Sequence, residues 1–255
     1  MPKKKYGQNF LINQEIIKKI LIDIKINSQN ILEVGPGNLA LTKPIIDKLP
    51  NRYVGIEIDK DFKTKINDKK ILSNILFNDA LEINERSLFH NKNFTIISNL
   101  PYNISSQLLI KWCILQNDHN CINEMILMFQ KELGERILSD CNSKKYGSLS
   151  VLVQAFFNIK RKVIVSKKCF NPVPKVESIV LHFLPLKKNR IKKEKFKILQ
   201  KIVKFFFNER RKKNKKKIEK LFNEKIINNH NLQKYFDLRA ENINKDLYYK
   251  FTEII

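Results

Sequence analysis

The chain has 255 residues, 43% of them hydrophobic, which suits one large domain or one with a small appendage and is enough to bury a core. Its longest apolar stretches, such as residues 125–129 and 178–184, are far too short to span a bilayer, and no apolar segment follows the basic N-terminus to serve as a signal peptide, so a cytoplasmic protein that does not engage a membrane is expected. The formal charge of +24 favours polyanionic partners, nucleic acid above all, although heavy use of Lys, Asn and Ile, whose codons are AT-rich, raises charge without any functional demand.

A basic arm comes first, Lys3, Lys4 and Lys5, suited to phosphate contact or to a solvated face. From Asn30 to about Leu184 short β-rich runs alternate with helical stretches. The runs are residues 31–34, 53–56, 75–77, 95–97 and 125–128. Near-continuous apolar strands spaced by helices mean a parallel sheet buried on both faces. Two later runs, 162–165 and 179–183, are expected as a terminal hairpin on the sheet edge. Together these predict a doubly wound, Rossmann-like α/β domain over residues 1–186. After Pro185 the character changes: residues 187–255 contain no Gly and no Pro, and Ile198, Ile202, Phe205 and Phe206 fall at helical spacing. That part is expected to be a small all-helical domain, carrying the basic run 210–217. Cys113, Cys121, Cys141 and Cys169 include no C-x-x-C pair and the four histidines complete no zinc spacing, so reduced thiols, no metal and no disulfide are expected.

Residues 31–42, Ile-Leu-Glu-Val-Gly-Pro-Gly-Asn-Leu-Ala-Leu-Thr, form a strand, a glycine turn and a helix start. Gly35 and Gly37 let backbone approach a ligand, and the helix N-terminus adds a positive dipole end. About twenty residues on, at the next strand end, Glu57 can hold both hydroxyls of a ribose. Three readings stay open for this turn: an S-adenosylmethionine site, a dinucleotide site, or a tight turn with no ligand. Ala40 stands where a dinucleotide fingerprint has its third glycine. The following strand ends at Asp79, whose carboxylate can accept from an adenine amino group or cap the next helix. Glu33, Gly35, Glu57 and Asp79 thus line one rim, the side on which open α/β sheets bind ligands.

The fourth strand runs into Asn99-Leu100-Pro101-Tyr102. This tetrapeptide resembles the N/D-P-P-Y/F loop of amino-methyltransferases, in the form seen in the rRNA adenine dimethyltransferases. The chemistry accounts for the residue types. An adenine amino nitrogen is a poor nucleophile because its lone pair is delocalised into the ring. Asn99 and the carbonyl of Leu100 can accept its two hydrogens, drawing it toward tetrahedral geometry, while Pro101 fixes the turn and Tyr102 offers a stacking face. Other segments resemble the same family: residues 6–11, 129–132, 146–150, 169–178, 207–212 and 239–242, in the right order over essentially the whole chain.

The resemblance, strongest to the small-subunit members, implies S-adenosylmethionine as cofactor, with Asn9 and Leu11 closing over its methionine end beside Gly35, Glu57, Asp79 and Asn99. It implies that Phe170 stacks on the target base opposite Tyr102. It also implies dimethylation of the N6 groups of two adjacent adenines in a hairpin loop near the 3′ end of 16S rRNA, with a role in small-subunit biogenesis. The helical domain is then an RNA- and ribosome-binding domain, and the enzyme a monomer. One departure is the stretch Asn214-Lys215-Lys216-Lys217, more charged than in relatives. The alternatives are a large-subunit rRNA methyltransferase of the macrolide-resistance type, which more often shows Asn-Ile-Pro-Tyr, a non-catalytic ribosome assembly factor, and a nicotinamide-dependent oxidoreductase. The last leaves the Asn-Leu-Pro-Tyr loop unexplained.

Overall fold

A computed structural model describes residues 8–255. The lysines of the basic arm, Lys3 to Lys5, and Tyr6 and Gly7 of the first family segment lie outside the described residues. The strands are β1 (Phe10–Leu11), β2 (Asn30–Val34), β3 (Arg52–Glu57), β4 (Ile75–Phe77), β5 (Phe94–Asn99), β6 (Ile122–Gln130), β7 (Phe157–Val165), β8 (Phe170–Asn171) and β9 (Ser178–Pro185). The helices are α1 (Gln14–Leu21), α2 (Thr42–Ile46), α3 (Phe62–Lys65), α4 (Lys69–Leu72), α5 (Glu85–Leu88), α6 (Ser105–His119), α7 (Lys131–Leu138), α8 (Ser148–Gln154), α9 (Phe196–Asn208), α10 (Lys215–Leu221), α11 (Glu224–Asn229) and α12 (Lys245–Ile254).

Seven strands form one sheet in the order β4-β3-β2-β5-β6-β9-β7. The first five run parallel, and their centre reads as apolar runs because both faces are covered: every residue of β2 is buried, as are the first five of β5. The expected hairpin is present as β7 and β9, antiparallel to each other, with β9 also antiparallel to β6 and β7 outermost. The strand order reverses between β2 and β5, and at such a switch point the carboxyl ends of neighbouring strands open a crevice. Val34, Glu57, Phe77 and Asn99 all sit at those ends. A separate two-stranded pairing joins β1 to β8, with Phe10 opposite Asn171 and Leu11 opposite Phe170.

The chain divides into two compact units, residues 1–134 with Phe157–Pro185, and Glu135–Phe156 with Leu186–Ile255. The sequence break after Pro185 coincides with one crossing between them. The segment Glu135–Phe156 joins the second unit although it lies between two strands of the sheet, and strand periodicity gives no sign of this. The second unit is helical and packs around aromatic rings. Phe206 stacks on Phe251 at 5.6 Å and meets Tyr248 edge-on at 5.4 Å. The buried stripe of α9 is Phe196, Leu199, Ile202, Val203 and Phe206, so Ile198 and Phe205 of the expected stripe stand at its margin, half-buried. No helix among the described residues is long and apolar enough to cross a membrane.

Candidate active site

The glycine turn has the backbone that its sequence demands. Gly35 and Gly37 take φ of 73° and 50°, in the left-handed region where a Cβ is penalised. A Cβ on Gly37 would also stand 2.9 Å from the Phe10 ring. The turn is anchored on both sides: the Gly35 amide donates to the Ile56 carbonyl at 2.8 Å, and the Ser98 hydroxyl donates to the Val34 carbonyl at 2.5 Å. Glu57, nearly buried, accepts from the Gly37 amide at 3.1 Å and from the Asp59 amide at 2.9 Å, one on each carboxylate oxygen. Burial pushes its carboxyl above the usual carboxylate range against the pull of these backbone amides, and the Asp59 charge adds to the rise. Each oxygen keeps a further lone pair, so Glu57 can still accept two hydroxyls.

Glu33 does not face the turn as an open acceptor. Tyr53 and Thr42 donate to the same carboxylate oxygen at 2.7 and 2.8 Å, and the group is buried among them. Burial pushes it up to about 7 against those two hydrogen bonds, and the Glu57 charge adds to the rise. It ties β2, β3 and the start of α2 together, which fixes the turn from beneath.

Asn99 ends β5, and its Nδ2 donates to the Asn9 carbonyl at 3.1 Å. A carbonyl only accepts, so this bond sets the amide's orientation and turns Oδ1 away from Asn9, with no partner among the described residues. Leu100 is buried. The Tyr102 hydroxyl is 2.6 Å from the buried Ser178 hydroxyl, and burial raises its pKa. Ser178 opens β9 opposite Gln130, and beside it Lys131 pairs with Glu177 at 2.7 Å. The family segments 129–132 and 169–178 therefore meet, and Ser178 of the second holds the tyrosine.

Residues 8–11 roof the turn. Gln8 Nε2 donates to Asp59 at 2.9 Å, and Phe10 packs edge-on against Phe62 at 5.9 Å. Asn9, Gly35, Gly37, Glu57, Asn99 and Pro101 are among the residues lining one cavity of about 50 Å³ under this roof. Leu11 and Phe170 pair across β1 and β8 and are buried in one apolar cluster; Phe170 is 1% exposed. Asp79 stands on the same rim, half-buried, with Oδ1 accepting from the Leu81 amide at 2.8 Å. A larger cavity, about 530 Å³, opens by Asn51 and Arg52 at the start of β3, beneath the opposite rim, and none of the sequence-predicted residues lines it.

The basic run 210–217 is less open than its sequence suggests. Arg210 bonds Glu241 at 2.7 Å and the carbonyls of Ser143 and Lys144. Lys212 pairs with Glu209, Lys213 with Asp237, and Lys215 more distantly with Glu219. Lys217 is buried and donates to the Phe206 and Glu209 carbonyls at 2.7 and 3.0 Å, closing the C-terminus of α9. Arg211 and Lys216 are exposed and pair with no acid among the described residues.

Side chains that sequence reading missed are Tyr53, Thr42, Ser98, and Lys111 with Glu85 and Trp112. Their partners lie between 9 and 64 positions away in the chain, and no contiguous motif marks them.

The sequence profile described as ribosomal RNA adenine dimethylase matches residues 2–255. "Ribosomal RNA small subunit methyltransferase A" of Pelagibacter ubique is 35% identical over 98% of this chain and 95% of its own length. The protein of the same name from Mycoplasmopsis pulmonis is 38% identical over 99% and 98%. Among solved structures, a dimethyladenosine transferase from Plasmodium falciparum superposes with a TM-score of 0.72 at 22% identity, covering 95% of each chain. The 23S rRNA methyltransferase ErmE also gives 0.72, at 18% identity, over 96% of this chain and 98% of its own. At those identities the two structures speak for the Rossmann-like methyltransferase fold alone.

Proposed function

This chain belongs to the ribosomal RNA adenine dimethylase family, and from that premise we propose that it dimethylates the N6 amino groups of two adjacent adenines in a hairpin loop near the 3′ end of 16S rRNA. The methyl donor is S-adenosylmethionine, and the enzyme works as a cytoplasmic monomer in small-subunit biogenesis.

The observation that carries the reading is the orientation of Asn99. With Nδ2 committed to the Asn9 carbonyl, Oδ1 is the atom offered to a substrate. It and the Leu100 carbonyl accept the two amino hydrogens, so the lone pair is directed at the methyl carbon rather than into the ring. S-adenosylmethionine, when bound on the glycine turn, supplies the methyl group from a sulfonium centre. Glu57 would accept its ribose hydroxyls through the lone pairs that the Gly37 and Asp59 amides leave unused, and Asp79 its adenine amino group through Oδ2. Asn9, which lines the cavity, would close over its methionine end together with Leu11, two residues on in β1. Tyr102 presents a face held by Ser178, and Phe170 stacks from the other side once the base draws it out of its cluster. No carboxylate or imidazole hydrogen-bonds to Asn99 or Tyr102 among the described residues. None is needed before attack, because the nitrogen loses its proton only after alkylation makes it acidic. Phosphates are held by the second unit and by the basic arm.

The test is transfer of labelled methyl groups from S-adenosylmethionine to unmethylated small subunits, with large-subunit RNA in parallel and mapping of the modified bases. Label confined to two adjacent adenines of 16S rRNA is expected. Label on large-subunit RNA, or none at all, would sink the proposal.

A further inference from the structure

The loop that follows β4 is held by a residue that no family segment contains. Helix α6 starts three residues beyond Tyr102, and on it Lys111 turns back toward that loop. Its Nζ donates to the carbonyl of Ala80 at 2.7 Å and to that of Ile83 at 2.5 Å, and stands 3.0 Å from Glu85 Oε1. Glu85 is buried and is fixed in turn by the Trp112 indole, which donates to the same oxygen at 2.9 Å. An ammonium has three donors, and here three acceptors surround it. Two carbonyls from residues 80 and 83 converge on one cation only when the chain between them folds back, so Lys111 staples the turn directly after Asp79. Within that turn Asp79 Oδ1 accepts from the Leu81 amide and Asn78 Oδ1 from the Asp79 amide, both at 2.8 Å. Asp79 Oδ2 has no partner among the described residues.

We propose that Lys111 is a positioning residue for methyl-donor recognition: by stapling the 80–83 turn it presents the Asp79 carboxylate to the amino group of the donor's adenine. This rests on the S-adenosylmethionine reading of the site. It also gives α6 two duties, since the helix begins beside the loop that handles the methyl acceptor and holds, one to two turns later, the loop that reads the donor. The charge of Lys111 is spent on backbone carbonyls and a buried carboxylate, so the residue is not one of the surface cations that a basic composition would supply by drift.

The experiment compares binding of S-adenosylhomocysteine with that of S-inosylhomocysteine, whose base carries an oxo group in place of the amino group. Calorimetry is run on the full chain, with thermal melting alongside. The unaltered protein is expected to prefer the adenine form, and Asp79→Ala to lose that preference. Lys111→Met should weaken the adenine form roughly tenfold while leaving the inosine form nearly unchanged, and Lys111→Arg should restore part of the difference. Lys111→Met combined with Asp79→Ala should bind no more weakly than Asp79→Ala alone. Lys111→Gln, closer in size and polarity, repeats the measurement should the methionine variant fold poorly. A Lys111 variant that melts earlier yet keeps the full base preference would overturn the inference and leave the donor reading intact. An Asp79→Ala protein with undiminished preference would overturn both.

Discussion

In the proposed mechanism Asn99 and Glu57 carry different parts of the chemistry, and their substitutions separate them. Asn99→Ala keeps the turn that Pro101 sets but removes the acceptor aimed at the amino group, so its effect belongs to the transition state. Single-turnover methyl transfer on unmethylated subunits is expected to fall on the order of a hundred- to a thousandfold, with the melting temperature and RNA affinity little changed. Near-normal turnover would show that the loop does not handle the amino group as assigned. Glu57→Ala leaves two ribose donors without a charged acceptor, a loss of roughly 1.5–3 kcal/mol, so donor affinity should drop about ten- to a hundredfold by calorimetry. Because burial holds the Glu57 carboxyl above its ordinary range, affinity for the donor should already decline at a pH where an exposed glutamate is still ionised. At this scale the sequence was informative wherever chemistry sits in contiguous motifs. The glycine turn, Glu57 at its strand end and the place of Asn-Leu-Pro-Tyr read directly, whereas Glu33, expected on the same rim, is engaged by Tyr53 and Thr42. The bond from Asn99 to Asn9 spans 90 positions, and that from Tyr102 to Ser178 spans 76. Neither residue spacing nor residue type reveals such a pair.

Among the elements, β2, β3 and α2 are joined by one buried carboxylate. Glu33 is favoured in its protonated form on folding, since its pKa rises from 4.5 to about 7. Its contribution is therefore fully present below about pH 4.5 and is lost as pH climbs through 7, a span worth about 3 kcal/mol. Glu33→Gln removes that titration. Urea unfolding at a series of pH values should show the unaltered protein losing stability relative to the variant between those limits; parallel curves would mean that the carboxylate titrates normally. The parallel strands were legible because apolar runs buried on both faces leave an unmistakable pattern, and the edge hairpin because β-branched residues recur. The division into two units was legible only at Pro185, where Gly and Pro cease. Segment Glu135–Phe156 has strands on both sides in sequence, and its allegiance is fixed by long-range bonds such as that from the Tyr249 hydroxyl to the Val151 carbonyl at 2.8 Å, which no local pattern encodes.

For the whole molecule, net charge is a poor guide to where RNA lies. Of the seven cations in 210–217, Arg210, Lys212, Lys213, Lys215 and Lys217 are engaged inside their own unit, which leaves Arg211 and Lys216. Neutralising Arg211 and Lys216 should flatten the dependence of log affinity on log salt by about 0.7–0.9 for each phosphate that is no longer neutralised. Neutralising Lys212 and Lys213 should leave that slope nearly unchanged. Equal slopes for the two pairs would mean that the internal ion pairs give way to phosphate. A different whole-molecule consequence follows from the pairing of β1 with β8. The strand that roofs the glycine turn is the same strand that holds Phe170 in its buried place. If a donor bound at the glycine turn shifts β1, the β1–β8 pairing passes that shift on to Phe170. The two substrates are then thermodynamically linked through one short ribbon. By reciprocity, whatever factor the donor adds to the affinity for a flipped base, the base must return to the affinity for the donor.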